Sequence, residues 1–126
     1  MNNNDHVSQN IENEINSNDV MLFMKGTPVF PMCGFSARVV EILNKVGVKF
    51  GSLNVLESDE MREGIKIYSN WPTIPQLYVK KEFIGGCDII TEMFESINSS
   101  IVSSTVSKYF PFVRIFFSIY RNNNTL

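Results

Sequence analysis

Two prolines separate an apolar run from an amphipathic repeat, and they decide how the first half of this chain folds. Val20–Met24 is apolar throughout and of strand length. Lys25-Gly26-Thr27-Pro28 breaks it, and Pro31 keeps a helix from starting before about Met32. From Gly34 to Val46 the apolar positions Val39, Val40, Leu43 and Val46 share one face, with Arg38, Glu41 and Lys45 between them and Gly47 placed to end the helix. The order strand, rigid loop, helix follows, with Cys33 at the joint between loop and helix.

The rest of the chain extends that unit. Residues 1–6 are Asn-rich and read as disordered, whereas Val7, Ile11 and Ile15 recur every four residues and predict a short helix ending near Asn18. Residues 48–55 read as a second strand. Glu57, Asp59 and Glu60 beside Ser58 suit the positive end of a third helix that turns Met61, Ile65 and Tyr68 inward. A strand, a helix and a second strand in that order make a right-handed parallel unit. After the rigid loop Trp71-Pro72-Thr73-Ile74-Pro75 come two short strands, Gln76–Val79 and residues 82–84. Lys80-Lys81 between them is an odd turn, because tight hairpin turns favour Gly or Asn at positive φ. Gly85-Gly86 then precedes Cys87-Asp88 and a last helix whose stripe is Ile90, Met93, Phe94 and Ile97. A βαβ half followed by a ββα half is an α/β fold, a four-stranded mixed sheet with helices on both faces, which is the plan of a thioredoxin-like domain. The domain spans residues 7–98.

Composition narrows the function classes. At 126 residues and 44% apolar the chain is one domain with a core large enough to fold alone. Its net charge of -2 leaves no excess of positive charge for nucleic-acid phosphates. The two cysteines are too few for a disulfide-stapled scaffold and point to a reducing compartment. Asp5, Glu12, Glu14 and Asp19 precede the first basic residue, Lys25, which is unlike a mitochondrial presequence or a secretory signal. No apolar run reaches the roughly 18 residues that span a bilayer. The expectation is a soluble cytosolic protein.

The chemistry centres on Cys33. At a helix start its sulfur meets unpaired N–H groups and the positive end of the dipole, which favour a thiolate. Ser36 stands where a C-x-x-C motif would place its second sulfur, and a hydroxyl cannot resolve a mixed disulfide. The thiol acts alone or with one supplied from outside. Lys25 is the only base near the thiol loop, able to bind a carboxylate and favour the thiolate, although a lone loop lysine is ordinarily just solvated. Ile74-Pro75 suits a cis bond that turns the Ile74 main chain outward as a template for a peptide-like ligand; the alternative is a trans loop with Trp71 as core. Thr73 also reads as a simple turn residue. Asp88 suits an N-cap, and the helix start beside it suits an anion. Cys87 has a second reading as a resolving thiol for Cys33, and His6 reads as solvated.

Lys25-Gly26-Thr27-Pro28, Cys33-Gly34-Phe35-Ser36, Trp71-Pro72-Thr73-Ile74-Pro75-Gln76 and Gly85-Gly86-Cys87-Asp88 together resemble the monothiol glutaredoxins of the CGFS type, in order and spacing, from about residue 11 to residue 98. The resemblance implies a protein that binds glutathione and holds a [2Fe–2S] cluster between two protomers, each giving one cysteine and one glutathione thiol, and passes it to apo iron–sulfur acceptor proteins. It implies Cys33 as iron ligand and nucleophile, and Lys25 and Arg62 at the glycyl carboxylate of glutathione. The Ile74 backbone would pair with its cysteinyl main chain, Cys87 and Asp88 would hold its γ-glutamyl end, and Thr73 would be a further glutathione-binding residue. The partners implied are a second copy of the chain, as a homodimer when cluster-bound, and a BolA-like protein. The enzymatic alternative is a weak glutathione-dependent thiol–disulfide oxidoreductase.

Residues 99–126 leave the family pattern. A Ser-rich stretch leads into an aromatic segment, residues 109–121, and the tail's three charges, Lys108, Arg114 and Arg121, are all positive. Such a tail can dock on the domain, meet an anionic membrane surface, contact a partner, or have no selected function. Residues 115–120, aromatic and uncharged, are an aggregation hazard if exposed.

Overall fold

The computed structural model of the chain describes residues 3–98. The tail readings on residues 99–126, and the inward side chain expected at Ile97, lie outside the described residues. In chain order the elements are α1 (Asn3–Ser17), β1 (Val20–Met24), α2 (Gly34–Val46), β2 (Gly51–Asn54), a 3-10 turn (Val55–Glu57), α3 (Asp59–Ser69), β3 (Gln76–Val79), β4 (Glu82–Gly85) and α4 (Cys87–Asn98). The sheet order is β2-β1-β3-β4, with β1 parallel to β2 and antiparallel to β3, and β3 antiparallel to β4. The mixed four-stranded sheet is the one expected.

Strand alternation sorts the core into two layers. Val20, Leu22, Met24, Leu77 and Val79 face α2 and α4, packing on Val39, Ile42, Leu43, Ile90 and Met93. Met21, Phe23 and Tyr78 face α1 and α3, packing on Ile11, Ile15 and Ile65. β1 is buried on both faces, which is why it reads as a continuous apolar run. Fully burying a side chain such as Phe23 or Leu22 contributes about 1.5–3 kcal/mol. Phe23 also meets Tyr78 edge to face at 5.7 Å. Gly64 sets the approach of α1 to α3, since a Cβ there would run into Val7.

The element ends follow their chemistry. Gly47 takes the left-handed conformation, φ 80°, and its N–H and that of Val48 donate to the Leu43 carbonyl at 3.1 and 3.2 Å. The Ser58 side chain caps α3 by accepting from the Met61 N–H at 3.1 Å.

Several boundaries differ from expectation for local reasons. α1 begins at Asn3, so residues 3–6 of the segment read as disordered are helical. The apolar repeat marks only where the helix packs, not where it starts. β2 ends at Asn54, because the Asn54 carboxamide accepts from the Gly26 N–H at 2.9 Å and the Leu56 N–H at 3.0 Å and turns the chain out of the strand. Tyr68 is 37% exposed at the rim of Tyr78. Lys80 and Lys81 both sit at positive φ, 49° and 70°, a turn that normally selects Asn and Gly. The Lys80 N–H donates to the Asp19 carbonyl at 2.7 Å, which ties the turn to the sheet end. α4 starts at Cys87, two residues earlier than an Asp88 cap requires, and the Gly86 carbonyl accepts the first helical bond, from Ile90 at 3.1 Å.

Candidate functional site

The loop between β1 and α2 is closed on itself. Met32 N–H donates to the Lys25 carbonyl at 2.9 Å, and Thr27 and Phe30 exchange backbone bonds at 3.1 and 3.0 Å. Gly26, at φ 91°, is needed at the crossing, since a Cβ would lie 2.5 Å from both Met32 N and the Phe30 carbonyl oxygen. The closed loop leaves Val29, Phe30, Met32 and Phe35 exposed, from 58% to 95%, as an apolar rim around Cys33.

Cys33 is the extended residue before α2, φ -155°, and its half-buried side chain does not cap the helix as an acceptor. Burial opposes ionisation of the sulfur. The backbone N–H groups of Ser36 and Phe35, the Ser36 hydroxyl and the Lys25 ammonium outweigh it and hold the thiol below its ordinary value. Ser36 is fully buried, its hydroxyl oxygen accepts from the Lys25 N–H at 3.1 Å, and the same hydroxyl is one of the groups that favour the Cys33 thiolate. It therefore couples the lysine-bearing end of β1 to the thiolate. Sequence reasoning saw in Ser36 only a missing thiol. The signal available was its position three residues past Cys33, one helical turn on, where a hydroxyl reaches back to the helix start.

Beside Cys33 lies a groove of about 410 Å³, in the range of small-molecule sites. Lys25, Cys33, Phe35, Lys66, Trp71, Pro72, Thr73, Ile74, Pro75, Gly86, Cys87, Asp88 and Ile89 line it. Six of the residues singled out from sequence, Lys25, Cys33, Thr73, Ile74, Cys87 and Asp88, are thus brought together. The Ile74-Pro75 peptide is cis, as expected. Trp71 is half-buried in the groove wall: its ring packs on Phe83 at 5.7 Å, and its indole N–H is buried without a partner. Asp88 lies in the first turn of α4 rather than capping it, so its carboxylate and the helix start share one end of the groove. Cys87 faces Thr91, sulfur to hydroxyl 3.8 Å, and both cysteines are free.

Arg62, expected at the glycyl carboxylate of glutathione, lies on α3 beside the groove's residues rather than in its lining. Its guanidinium pairs with Asp59 at 3.0 Å and Glu63 at 3.9 Å along α3. The second cation lining the groove is Lys66, one turn further on, whose ammonium lies 3.3 Å from Glu63. The i, i+4 relation places both on one side of α3 one turn apart, so how far along its axis the helix sits beside the groove selects between them. Among the described residues no cluster of three or more His, Cys, Asp or Glu side chains could hold a metal ion.

A family model described as Glutaredoxin matches residues 20–84. The chain is 59% identical over 86 residues to a "Probable monothiol glutaredoxin 2" of Rickettsia felis, covering 68% of this chain and 83% of that one. It is 62% identical over 89 residues to a "Monothiol glutaredoxin-5, mitochondrial" of Saccharomyces cerevisiae, covering 68% of this chain and 59% of that protein. Among solved structures, reduced poplar apo GrxS14 in solution aligns at a TM-score of 0.66 and 41% identity, over 86% of this chain and 93% of that one. These likenesses correct the cytosolic expectation. A relative at 62% identity is named as mitochondrial, so the sequence of this domain does not assign a compartment. Address signals lie in leader segments rather than in the folded domain, and domain composition does not report them.

Proposed function

This chain belongs to the monothiol glutaredoxin family, and from that premise we propose that it carries a [2Fe–2S] cluster as cargo, held between two copies by Cys33 and by glutathione lodged in each groove. The observation that carries this reading is the lowered Cys33 thiol at the rim of a groove charged differently along its length. Lys25 and Lys66 offer cations to a carboxylate; Asp88 offers an anion to an ammonium, and the α4 helix start offers N–H groups to a second carboxylate. Glutathione has those three groups and a thiol between them. Soft thiolates suit iron–sulfur clusters, and because one chain offers one such thiolate on the rim, four ligands require two chains and two glutathiones. The exposed Val29, Phe30, Met32 and Phe35 give a second copy an apolar surface next to that sulfur. A BolA-like protein, or an apo acceptor protein taking the cluster by ligand exchange, would use the same rim.

A second reading is favoured by the lowered Cys33 thiol, which is a ready nucleophile beside the groove. In it Cys33 attacks a glutathionylated substrate, and external glutathione resolves the mixed disulfide. Anaerobic reconstitution with iron and sulfide separates the two. A carrier becomes a coloured dimer only with glutathione present, and Cys33→Ser stays colourless. Colour that forms equally without glutathione, or in Cys33→Ser, rules out the carrier. Turnover on a glutathionylated peptide equal to that of a dithiol glutaredoxin assayed alongside supports the enzyme.

A further inference from the structure

The far wall of the groove is held by a residue outside it. Gln76, the first residue of β3, is fully buried among apolar neighbours, and its amide nitrogen donates to the Trp71 carbonyl at 3.2 Å and the Thr73 carbonyl at 3.1 Å. Its own carbonyl oxygen is buried with no partner. An apolar side chain there would avoid the cost of that unpaired acceptor, as Leu77 and Val79 do on the same strand, so core stability alone does not account for a glutamine. Its two donated bonds do. They draw the carbonyls on either side of Pro72 inward, while the side chain of Ile74, 6% exposed, is anchored in the α1 and α3 layer. None of the loop's hydrogen bonds among the described residues engages the N–H or C=O of Ile74, which lines the groove.

We propose that Gln76 is a positioning residue for glutathione: by holding the Trp71 and Thr73 carbonyls inward, it keeps the Ile74 main chain presented to the groove as a short template for the ligand's own peptide backbone. This rests on glutathione being the groove's ligand. The mode is strand addition, in which main-chain groups supply the bonding and their fixed direction supplies the affinity. Gln76 touches neither ligand nor sulfur, so it acts on binding and leaves the thiol as it is.

The test uses the full chain in its apo, reduced form, with glutathione affinity read by NMR titration and the Cys33 thiol read by the pH dependence of alkylation. Gln76→Met keeps length and burial, drops both donors and also removes the orphaned acceptor. It should remain folded by near-ultraviolet circular dichroism and bind glutathione roughly tenfold more weakly, the scale of two neutral hydrogen bonds, with the alkylation midpoint unchanged. Gln76→Glu keeps the shape even if the methionine variant fails to fold. As a carboxylate it has no proton to donate, and once protonated it has one, so its affinity relative to wild type should recover as pH falls from 8 to 5. Taking the ratio to wild type at each pH cancels the titration of Cys33, Asp88 and the ligand itself. Wild-type affinity in Gln76→Met, or a pH-independent ratio in Gln76→Glu, overturns the proposal while leaving glutathione binding intact. An alkylation midpoint that moves with the affinity also overturns it, since that is general loosening. A wild-type chain that binds no glutathione overturns the functional reading itself.

Discussion

The two walls of the groove are built on opposite principles. On the thiol wall the polar groups are matched: the Ser36 hydroxyl accepts from the Lys25 N–H and favours the Cys33 thiolate, and Asn54 takes the Gly26 and Leu56 N–H groups. On the loop wall the polar groups are aimed at one another and left incomplete, with an unpartnered Gln76 oxygen and an unpartnered Trp71 N–H in the interior. The first arrangement sets how readily a sulfur ionises. The second sets which main-chain groups face a ligand. Reactivity and affinity in this fold are therefore separable, and changes on the two walls should move different observables.

The largest expected effect that breaks one wall alone is at Ser36. Ser36→Ala removes a donor to the Cys33 thiolate and leaves the Lys25 N–H without its acceptor, costing about 1–3 kcal/mol of stability. The sign for the thiol follows from its lowered value. With one stabilising donor gone the pKa rises, the thiolate fraction at pH 7 falls, and alkylation slows there while its midpoint moves to higher pH. Glutathione affinity should change little. Denaturant unfolding and a pH series of alkylation rates check both halves.

Lys25 is the residue that belongs to both walls. Lys25→Ala should weaken glutathione binding by about 1 kcal/mol, roughly fivefold, because ion pairs open to solvent are screened, and it should also raise the thiol pKa. Lys25→Arg should recover part of each, since the charge stays while reach and donor geometry differ. Titration calorimetry with and without added salt reads the first effect, and the alkylation profile reads the second.

The smallest effect is a control away from both walls. Replacing Lys80-Lys81 by Asn-Gly suits the two positive φ angles and should stabilise the chain by about 1 kcal/mol. It should leave the thiol pKa and glutathione affinity at wild-type values. Thermal unfolding measured beside the two site assays checks this, and movement of either would show that the walls respond to overall stability.

What could be read from the sequence was what rests on short-range chemistry. Pro28 and Pro31 followed by an apolar stripe placed Cys33 at a helix start and Gly47 ended that helix; that Cys87 and Asp88 share a groove with Thr73 and Ile74 was implied only by the family resemblance. What could not be read depended on how packed elements are seated and on what a buried polar atom touches. Arg62 and Lys66 differ by one turn of α3, and only the seating of that helix gives the groove to Lys66. Ser36 and Gln76 look like ordinary polar residues until their burial and partners are seen. The end of β2 at Asn54, one residue short of the strand expected to Val55, comes from Asn54 bonding to a glycine 28 positions away in sequence, a contact no local pattern reveals.

Native mass spectrometry of the anaerobically reconstituted protein tests the central claim most directly, because it weighs the ligand set instead of inferring it from colour. The expected species is two chains with two iron, two sulfide and two glutathione molecules, lost as a unit when Cys33 is changed to Ser. A cluster-bearing species with a single chain, or a dimer whose cluster carries no glutathione, would contradict the assignment of the groove and of Cys33 together.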